Sequence, residues 1–450
     1  MKRENDMPPV ASQVLPSRPA TVADERGGVN TRAGVRVDRA VTELRRGRPV
    51  LLSKGGERIL VVAIETMLPS SWAELKGEDG ELSVTLTAER AQASGWHRPA
   101  VITALPDSAA VALPVATATP IGAPAPVLPI SLRLPATFEP SRLADLAGIG
   151  RHYGEAGAAG ECVAAQGGER WSALLAAQTT PAMRVALELA RLARLVPAIV
   201  TLSLPATALA PATVGGLPAE VAGGDPLYLR VSAEDVLAYP QDRASSLLRV
   251  SEAPVPLAGH ENSRFVLFRE TVADLEHVAV IVGNPDASGP VLVRLHSSCL
   301  TGDLFASLRC DCGDQLRGAI DRLGEDGGVL LYLAQEGRGI GLANKLRAYA
   351  RQDAGLDTID ADRYLGFRGD ERNFAVAVQM LKDLGIGRIR LLTNNPSKIA
   401  ALRQAGLDVV ERLPISGQIN RHNERYITTK RDRAGHLIDV STLPVERQAS

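Results

Sequence analysis

The second half of this 450-residue chain alternates between strand-like and helix-like segments from about Arg264 onward. Short apolar runs predict strands, and longer amphipathic stretches predict helices. The predicted strands are 265–268, 278–282, 291–296, 328–333, 389–392 and 409–412, and the predicted helices are 314–323, 341–352, 374–384 and 397–405. This alternation is typical of α/β folds. We therefore predict an α/β protein with mixed, partly parallel sheets flanked by helices.

The first half shows a similar but less regular pattern. Helices near 37–46 and 181–194, with strands near 49–52 and 59–64, predict a second α/β unit. The Ala- and Pro-rich stretch 104–140 is either a long loop or a set of strands with proline at their edges. The chain is long enough for two domains. The predicted division is a disordered tail at 1–33, a first domain at 34–215, a connecting segment at 216–256, a second domain at 257–438 and a disordered tail at 439–450.

Charge and terminal sequence restrict the partners and the compartment. Fifty basic and 51 acidic residues give a net charge of −1, so no overall basic field favours nucleic acid or an anionic membrane. The charged amino terminus lacks the apolar core of a secretory signal, and proline or charge interrupts the apolar stretches before they reach membrane-spanning length. We predict a cytoplasmic protein with no nucleic-acid partner and no membrane partner, whose thiols stay reduced.

Three of the four cysteines, Cys299, Cys310 and Cys312, lie within fourteen residues. One Asp separates the last two, and Arg and Gly flank them, which is not the pattern of cysteines packed in an apolar core. Three thiolates without an obvious fourth protein ligand are typical of a catalytic zinc site, where water takes the open position. His296 is either a fourth ligand or a hydrogen-bonding group, and spacing does not decide between these roles.

The loop 393–398 follows a predicted strand and opens a predicted helix. Asn395 suits the N-cap, and Pro396 suits the first helical position. The backbone N–H groups of such a turn, together with Lys398, would suit a phosphate group. Taken alone, a simple capped loop explains the segment equally well.

The turn 335–341 also lies between a strand and a helix, but its glycines do not match a dinucleotide-binding fingerprint. Glu336 suits a guanine-like N–H edge, and Arg338 suits an oxyanion. Simple solvation at the surface is the alternative for each residue. The charged run 370–372 taken alone predicts only a solvated turn. Tyr349, on the helix after the glycine turn, would ordinarily be a half-buried packing residue.

Taken together, these segments resemble GTP cyclohydrolase II, the enzyme that opens the guanine ring at the start of riboflavin synthesis. The likeness spans about Leu257 to Leu437. It rests on these motifs in order: HSSCLTGD at 296–303, LRCDCG at 308–313, QEGRGIGL at 335–342, NKLRAY at 344–349, DT at 357–358, LGF at 365–367, DER at 370–372 and LLTNNP at 391–396.

Carried over by position, the resemblance implies one zinc ion on the three cysteines and a catalytic group of Asp370, Arg372 and Tyr349. Asp370 matches the family's proton acceptor, and Arg372 its proposed nucleophile toward the α-phosphate. Because a guanidinium normally stays protonated, stabilisation of phosphate charge is the alternative role for Arg372. The implied GTP contacts are Arg294, Leu295, His296, Ser297, Ser298, Gln315, Glu336, Gly337, Arg338, Thr358, Thr393 and Lys398.

The resemblance also implies the reaction and the assembly. The family uses magnesium with the triphosphate and releases pyrophosphate and formate, leaving 2,5-diamino-6-(5-phosphoribosylamino)pyrimidin-4(3H)-one. It also implies a homodimer. Two departures bear on substrate choice, since Ser298 stands where many relatives have Glu and Ala334 stands where many have Arg.

The first half resembles, more faintly, 3,4-dihydroxy-2-butanone 4-phosphate synthase, through segments 37–50 and 185–193. The acidic metal-binding loop of that family is reduced here to 53–58, and its His-Thr-Glu motif to 182–184. Without these groups the synthase reaction has no visible acid, base or metal ligand. We therefore expect a degenerate domain kept for folding, dimerisation or regulation.

The sequence thus predicts a zinc-dependent GTP cyclohydrolase II with an inactive first half. Two alternatives remain open. One is a paralogue that acts on another nucleotide or ring, and the other is a non-catalytic nucleotide sensor.

Overall fold

The computed structural model describes residues 31–93, 129–149, 175–205, 213–214, 217–218, 228–433 and 435–438. The predicted tail at 439–450 lies outside these residues, as do positions 1–30 and most of the Ala- and Pro-rich stretch. Positions 31–33 were predicted to belong to the tail, but they form the first turn of a helix.

The first half contains a sheet of seven strands in the order β5-β4-β3-β6-β2-β1-β9. Only the edge pair β1 and β9 is parallel, and the other neighbours are antiparallel. The strands are β1 Val50–Lys54, β2 Glu57–Ala63, β3 Glu81–Leu86, β4 Ile130–Arg133, β5 Leu175–Ala177, β6 Ala198–Ser203 and β9 Leu229–Ser232, and a separate small hairpin pairs β7 Thr213–Val214 with β8 Leu217–Pro218.

The second half contains another sheet of seven strands, in the order β10-β11-β12-β14-β13-β15-β16. The four strands β14, β13, β15 and β16 run parallel, whereas β10, β11 and β12 pair antiparallel. Their bounds are β10 Leu247–Pro254, β11 Ser263–Glu270, β12 Leu275–Val282, β13 Val291–Ser297, β14 Gly328–Leu333, β15 Arg388–Leu392 and β16 Asp408–Leu413. The predicted class, mixed and partly parallel sheets in two α/β units, is confirmed.

Helices flank both sheets. Those of the first half are α1 Thr31–Arg45, α2 Pro69–Gly77, α3 Ala88–Ala93, α4 Leu143–Leu146, α5 Pro181–Leu192 and α6 Ala233–Ser245. Those of the second half are α7 Cys312–Asp326, α8 Leu342–Asp353, α9 Thr358–Tyr364, α10 Ala375–Asp383, α11 Pro396–Gln404 and α12 Glu424–Asp432. None of the helices in the described part of the chain combines the length and apolar character that a bilayer crossing requires.

Burial explains the strand order of the second sheet. Strand β14 is an almost continuous apolar run at the centre of the sheet, as expected for a strand covered on both faces. Edge strand β10 keeps only its first residue, Leu247, buried. Strands β13 and β15 beside the centre are likewise mostly buried, and helices α7 and α10 cover the sheet with apolar residues.

The segment 216–256 differs from its predicted role as a connector. Strand β9 of this segment joins the first sheet, and β10 joins the second. Helix α6 lies between them, and Ser232 caps it by accepting a hydrogen bond from the Asp235 N–H. The sequence pattern does not predict α6, because the polar residues and the internal Pro240 of this helix weaken its helical periodicity.

Helix α6 also anchors the two halves through a buried ionic group. Arg243 donates two hydrogen bonds to Glu270, at 2.6 and 3.1 Å. His277 Nε2 lies 3.0 Å from the same carboxylate, and its Nδ1 accepts a hydrogen bond from the Ala334 N–H at 3.1 Å. The second contact identifies Nε2 as the protonated nitrogen, so the imidazole donates to Glu270.

Arg90, from the first half, provides a second anchor. Its side chain is 1% exposed and donates hydrogen bonds to the carbonyls of Ala147 and Gly148 and, across the boundary, of Tyr364. The guanidinium also lies over the Tyr364 ring, 5.0 Å from its centroid. One buried cation therefore satisfies backbone acceptors from both halves.

Substituting Arg90→Met should lower the free energy of the first unfolding transition by about 3 kcal/mol, because one buried and two partly buried carbonyls lose a charged donor. Chemical denaturation followed by circular dichroism measures this loss. The matched control is Arg39→Met on the exposed face of α1. Equal stability of the two variants would contradict the anchoring role.

Candidate functional site

The candidate site lies at the carboxyl ends of the parallel strands β13, β14 and β15. The chain passes from β13 to β14 on one side and returns to β15 on the other, so the strand order reverses at β13. Crevices at such a reversal are the usual ligand sites of α/β sheets. Here the crevice is a cavity of about 390 Å³.

Three cysteine sulfurs meet at one end of this cavity. All three Sγ atoms lie within 4.8 Å of one another, and those of Cys299 and Cys310 are 3.7 Å apart. Cys299 follows β13, and Cys312 opens α7. Gly302 permits the convergence, because a Cβ atom there would lie 2.8 Å from the Cys310 sulfur.

The surroundings of Cys299 favour its thiolate. Contacts with the sulfurs of Cys310 and Cys312 lower the pKa of the Cys299 thiol, burial opposes this shift, and Lys345 adds to the lowering. Lys345 Nζ lies 3.0 Å from the Cys299 sulfur and 2.8 Å from Glu336 Oε1. A cation, Lys345, therefore lies beside Cys299, the cysteine that follows β13.

These residues fit a zinc ion. Soft thiolate donors select zinc among common divalent ions, and three protein ligands leave one position for another group. Among the described residues, no His, Asp or Glu joins the three sulfurs. His296 Nε2 lies 3.0 Å from Asp303 instead, and burial lowers the His296 pKa despite this carboxylate. The structure therefore favours the hydrogen-bonding role for His296.

Asp303 organises this part of the site. Its Oδ2 atom accepts hydrogen bonds from the Cys299 N–H and the Tyr332 hydroxyl, both at 2.9 Å. The rings of His296 and Tyr332 stack with centroids 5.6 Å apart. The sequence analysis did not assign a role to Asp303, although its place four residues after the first cysteine was the available signal.

The glycine turn brings Glu336 and Arg338 to the cavity through unusual backbone angles. Gly337 and Arg338 have φ values of 61° and 57°, in the left-handed region. The Glu336 carboxylate accepts hydrogen bonds from the Leu300 N–H at 2.6 Å and from Lys345. It thus already accepts hydrogen bonds within the protein, and the expected use of its side chain on a guanine-like edge stays a prediction.

A group of buried cations also lines the cavity. Lys398 is 6% exposed, and its Nζ donates to the Leu295 carbonyl at 2.9 Å. Burial, followed by repulsion from Arg372 and Arg294, moves the Lys398 pKa well below its usual range. Burial also lowers the pKa of Arg294 to about 10, although Asp311 opposes this. Removing cations from water beside one another is unfavourable unless an anion joins them.

Asp370 and Arg372 form a pair at the edge of this group. Arg372 donates to Asp370 through its backbone N–H at 3.1 Å and its Nε at 2.8 Å. Burial raises the Asp370 pKa, but these hydrogen bonds outweigh it and hold the pKa below its ordinary value. The carboxylate is therefore ionised and orients the guanidinium.

Two further acidic or phenolic groups face the cavity. Tyr349 lies between Arg309 and Lys345, 5.0 and 5.8 Å from its ring centroid, and burial raises its pKa. Its hydroxyl therefore stays protonated near neutral pH. Burial also raises the pKa of Asp362 to about 7, although Arg338 opposes the shift.

Helix α12 covers the site, and the sequence analysis assigned it no role. Lys430 donates to Asp311 at 2.8 Å and lies 4.2 Å from the Tyr426 ring centroid. Arg433 bonds to Asp360 on α9. The four-residue spacing of Tyr426 and Lys430 was the available signal, because such residues share one helix face.

The structure brings nearly all predicted site residues to one cavity. The exception is Leu295, whose side chain lies in the apolar core while its carbonyl binds Lys398. The predicted N-cap at Asn395 is confirmed by a hydrogen bond from the Ser397 N–H, with Pro396 in the first turn. The predicted residues at the cavity are Arg294, His296, Ser297, Ser298, Cys299, Cys310, Cys312, Gln315, Glu336, Gly337, Arg338, Tyr349, Thr358, Asp370, Arg372, Thr393 and Lys398.

Comparison with known proteins agrees with this site. Residues 248–414 match the family model described as GTP cyclohydrolase II. A curated "GTP cyclohydrolase-2" of Xylella fastidiosa (strain Temecula1) is 40% identical over 420 residues, which cover 92% of this chain and 90% of that protein. The expected resemblance of the second half is confirmed.

Other matches are more limited in extent. A "GTP cyclohydrolase-2" of Azospirillum brasilense is 54% identical over 254 residues, but the match spans 56% of this chain and 64% of that protein. One from Escherichia coli O9:H4 is 48% identical over 194 residues, which cover 98% of that protein and only 43% of this chain. Some of these relatives therefore correspond to the second half alone.

A solved structure of a two-domain 3,4-dihydroxy-2-butanone 4-phosphate synthase, RibBX from A. baumannii, also matches. It covers 85% of this chain and 99% of that chain, at 17% identity and a TM-score of 0.27. The sequence identity and the TM-score are both too low to assign a role to the first half from this match.

Asp362 should make stability depend on pH. Because its pKa is raised in the folded state, the folded protein binds the proton more tightly, and stability falls as pH rises from about 4 through about 7. Substituting Asp362→Asn should remove this loss and raise the melting temperature, with a clearly larger gain at pH 8 than at pH 5. Calorimetry at both values checks this, with exposed Asp321→Asn as the control. A gain that is equal at both pH values would refute the assignment.

Proposed function

The chain belongs to the GTP cyclohydrolase II family, and on this premise we propose that it hydrolyses GTP at the imidazole ring in a zinc-dependent reaction. Formate and pyrophosphate leave, and 2,5-diamino-6-(5-phosphoribosylamino)pyrimidin-4(3H)-one remains. One observation carries the proposal: a single cavity holds the three-cysteine cluster, the buried cations and the pair of Asp370 and Arg372.

Cys299, Cys310 and Cys312 would hold the zinc ion. When bound, zinc supplies Lewis acidity that makes water reactive near neutral pH. The protein's own residues keep this end of the cavity in place. Lys345 holds Cys299 and Glu336 together, and Asp303 fixes the backbone N–H of Cys299.

The buried cations support a polyanionic ligand. Lys398, Arg294 and Arg372 repel one another, and a triphosphate would relieve that repulsion. Magnesium is part of this proposal as the partner of the triphosphate. The same charges would exclude an uncharged nucleoside, because its binding would leave the cations uncompensated.

Arg372 acts electrostatically in this proposal. Asp370 accepts two hydrogen bonds from this guanidinium, which fixes its orientation, and arginine side chains in proteins are ordinarily cations. A protonated guanidinium is a poor nucleophile but a good partner for charge at the α-phosphate. Covalent attack by Arg372 remains the alternative role.

For the first half, the compartment and the assembly, the proposal keeps the predictions made from the sequence. The first half has lost the synthase reaction, since Ala182 and Met183 are buried packing residues at the start of α5. A cytoplasmic homodimer stays a prediction. Non-catalytic nucleotide sensing and action on another nucleotide or ring are the rival functions, and the departures at Ser298 and Ala334 motivate the latter.

The first test is turnover of GTP. Zinc-loaded protein incubated anaerobically with GTP and magnesium should release formate, pyrophosphate and the diaminopyrimidine, as followed by mass spectrometry. Substituting Cys310→Ser should abolish formate release, because a zinc ligand is lost.

The outcomes separate the rival functions. GTP binding without any product would favour the sensor, and turnover of a different nucleotide in a substrate panel would favour the paralogue. Undiminished formate release after removal of zinc would refute the zinc-dependent reaction.

Lys398 provides a further test. Its burial among other cations should lower the stability of the nucleotide-free protein and strengthen the binding of the anionic substrate. Substituting Lys398→Met should raise the stability of the nucleotide-free protein by about 1 kcal/mol and weaken GTP binding by about tenfold or more. Thermal unfolding and titration calorimetry measure the two effects. Exposed Lys382→Met on α10 is the control, and a variant with normal GTP affinity would contradict the role of Lys398.

A further inference from the structure

Four charged side chains form a ring across the boundary between the two halves. Glu188 and Arg191 lie on α5 of the first half, while Arg368 and Glu371 lie in the loop after α9. Arg191 and Arg368 each contact Glu188 Oε1 at 2.6 Å. Arg368 lies 3.3 Å from Glu371 Oε2, and Arg191 Nε lies 3.8 Å from Glu371 Oε1. Charge therefore alternates around the ring, and each side chain has two partners of opposite sign.

The ring holds the residue that separates Asp370 from Arg372. Glu371 also donates its backbone N–H to the Arg338 carbonyl at 3.0 Å, and its side chain accepts the Arg368 N–H at 2.8 Å. Displacement of Glu371 would therefore move both members of the catalytic pair. It would also disturb the glycine turn that carries Arg338.

A second set of contacts fixes the start of the same loop. Arg191 donates to the Gly366 carbonyl through Nε and Nη2, at 3.3 and 3.1 Å. Gly366 has a φ of 89°, and a Cβ there would lie 2.8 Å from both Pro197 and Thr87 of the first half. The backbone at Gly366 thus lies directly against the first half, and one arginine contacts both ends of the segment 366–371.

Burial makes this ring stronger than an ordinary surface ion pair. The side chains of Arg191 and Glu371 are only 12% and 14% exposed, so water screens them less. Isolated exposed pairs contribute little, but networks of good geometry constrain side-chain positions. The exposed Arg368, at 56%, is the member most open to solvent.

We propose that the ring Glu188, Arg191, Arg368 and Glu371 is a positioning device through which the first half fixes the loop of Asp370 and Arg372. This inference rests on the proposed function for its effect on turnover. It gives the first half a role in the cyclohydrolase reaction without any chemistry of its own.

A relative from Escherichia coli matches this chain over 194 residues, which cover 98% of that protein and 43% of this chain. The contribution of the first half is therefore proposed for this chain and not for a relative of that length. In this chain helix α5 lies against the loop 366–371. The geometry of that loop therefore depends on the α5 side chains Glu188 and Arg191.

The first experiment compares two arginines of the same helix in the full-length, zinc-loaded protein. Substituting Arg191→Ala should lower kcat for pyrophosphate release about tenfold, because small displacements of catalytic groups are costly. Zinc content and helical circular dichroism should stay unchanged, and Arg191→Lys should recover part of the rate. The matched control is Arg184→Ala, an exposed position at the opposite end of α5, which should retain full turnover.

A double-mutant cycle tests coupling across the boundary. Substituting Glu188→Gln or Arg368→Gln should each lower kcat about fivefold, and the double variant should be little worse than either single variant, because both changes break one ring. Independent contributions would instead multiply to about twenty-five-fold and would overturn the ring as a unit. Unchanged kcat in folded, zinc-loaded Arg191→Ala would overturn it as well.

Hydrogen–deuterium exchange separates this inference from the proposed function. In Arg191→Ala, amides of 366–374 should exchange faster than in the unaltered protein or in Arg184→Ala, whatever the substrate. Equal exchange in all three proteins would refute the positioning role. If the unaltered protein released no product while the loop still loosened in Arg191→Ala, the proposed function would fail and the ring would stand.

Discussion

Repulsion among buried cations is the constraint on which the site depends. Burial and the proximity of Arg372 lower the pKa values of Arg294 and Lys398, and the carboxylates of Asp311 and Asp370 offset this only in part. Folding tolerates this arrangement because each cation is tied to a fixed acceptor, such as the Leu392 carbonyl for Arg294 and the Leu295 carbonyl for Lys398. The acceptors belong to the carboxyl ends of β13 and β15. The parallel sheet therefore holds these charged side chains at the cavity in the absence of a ligand.

The sequence predicted the second half well because local and global signals agree there. Its strands are short apolar runs, α11 begins at the predicted cap Asn395, and many of its chemistry-bearing residues follow strand ends. The three cysteines were found from spacing alone. Their convergence also requires Gly302, whose close contact with sulfur becomes visible only when the turn is folded.

Other features depended on contacts that sequence spacing does not encode. The engagement of the Glu336 carboxylate with Lys345 arises from a left-handed turn next to a separate helix. The role of α12 arises because Asp311, between two cysteines, needs the buried partner Lys430. The segment 216–256 was predicted as a connector because its polar composition hides a capped helix with a strand at each end.

The junction between the sheets has a mechanical consequence. Helix α6 ends at Ser245 and β10 begins at Leu247, so a single residue separates an element packed on the first half from an edge strand of the second. The contacts of α6 extend the same connection towards the cavity, because Arg243 binds Glu270, Glu270 accepts from His277, and His277 accepts from the Ala334 N–H. A change in the position of α6 would therefore be felt at the backbone that leads into the glycine turn.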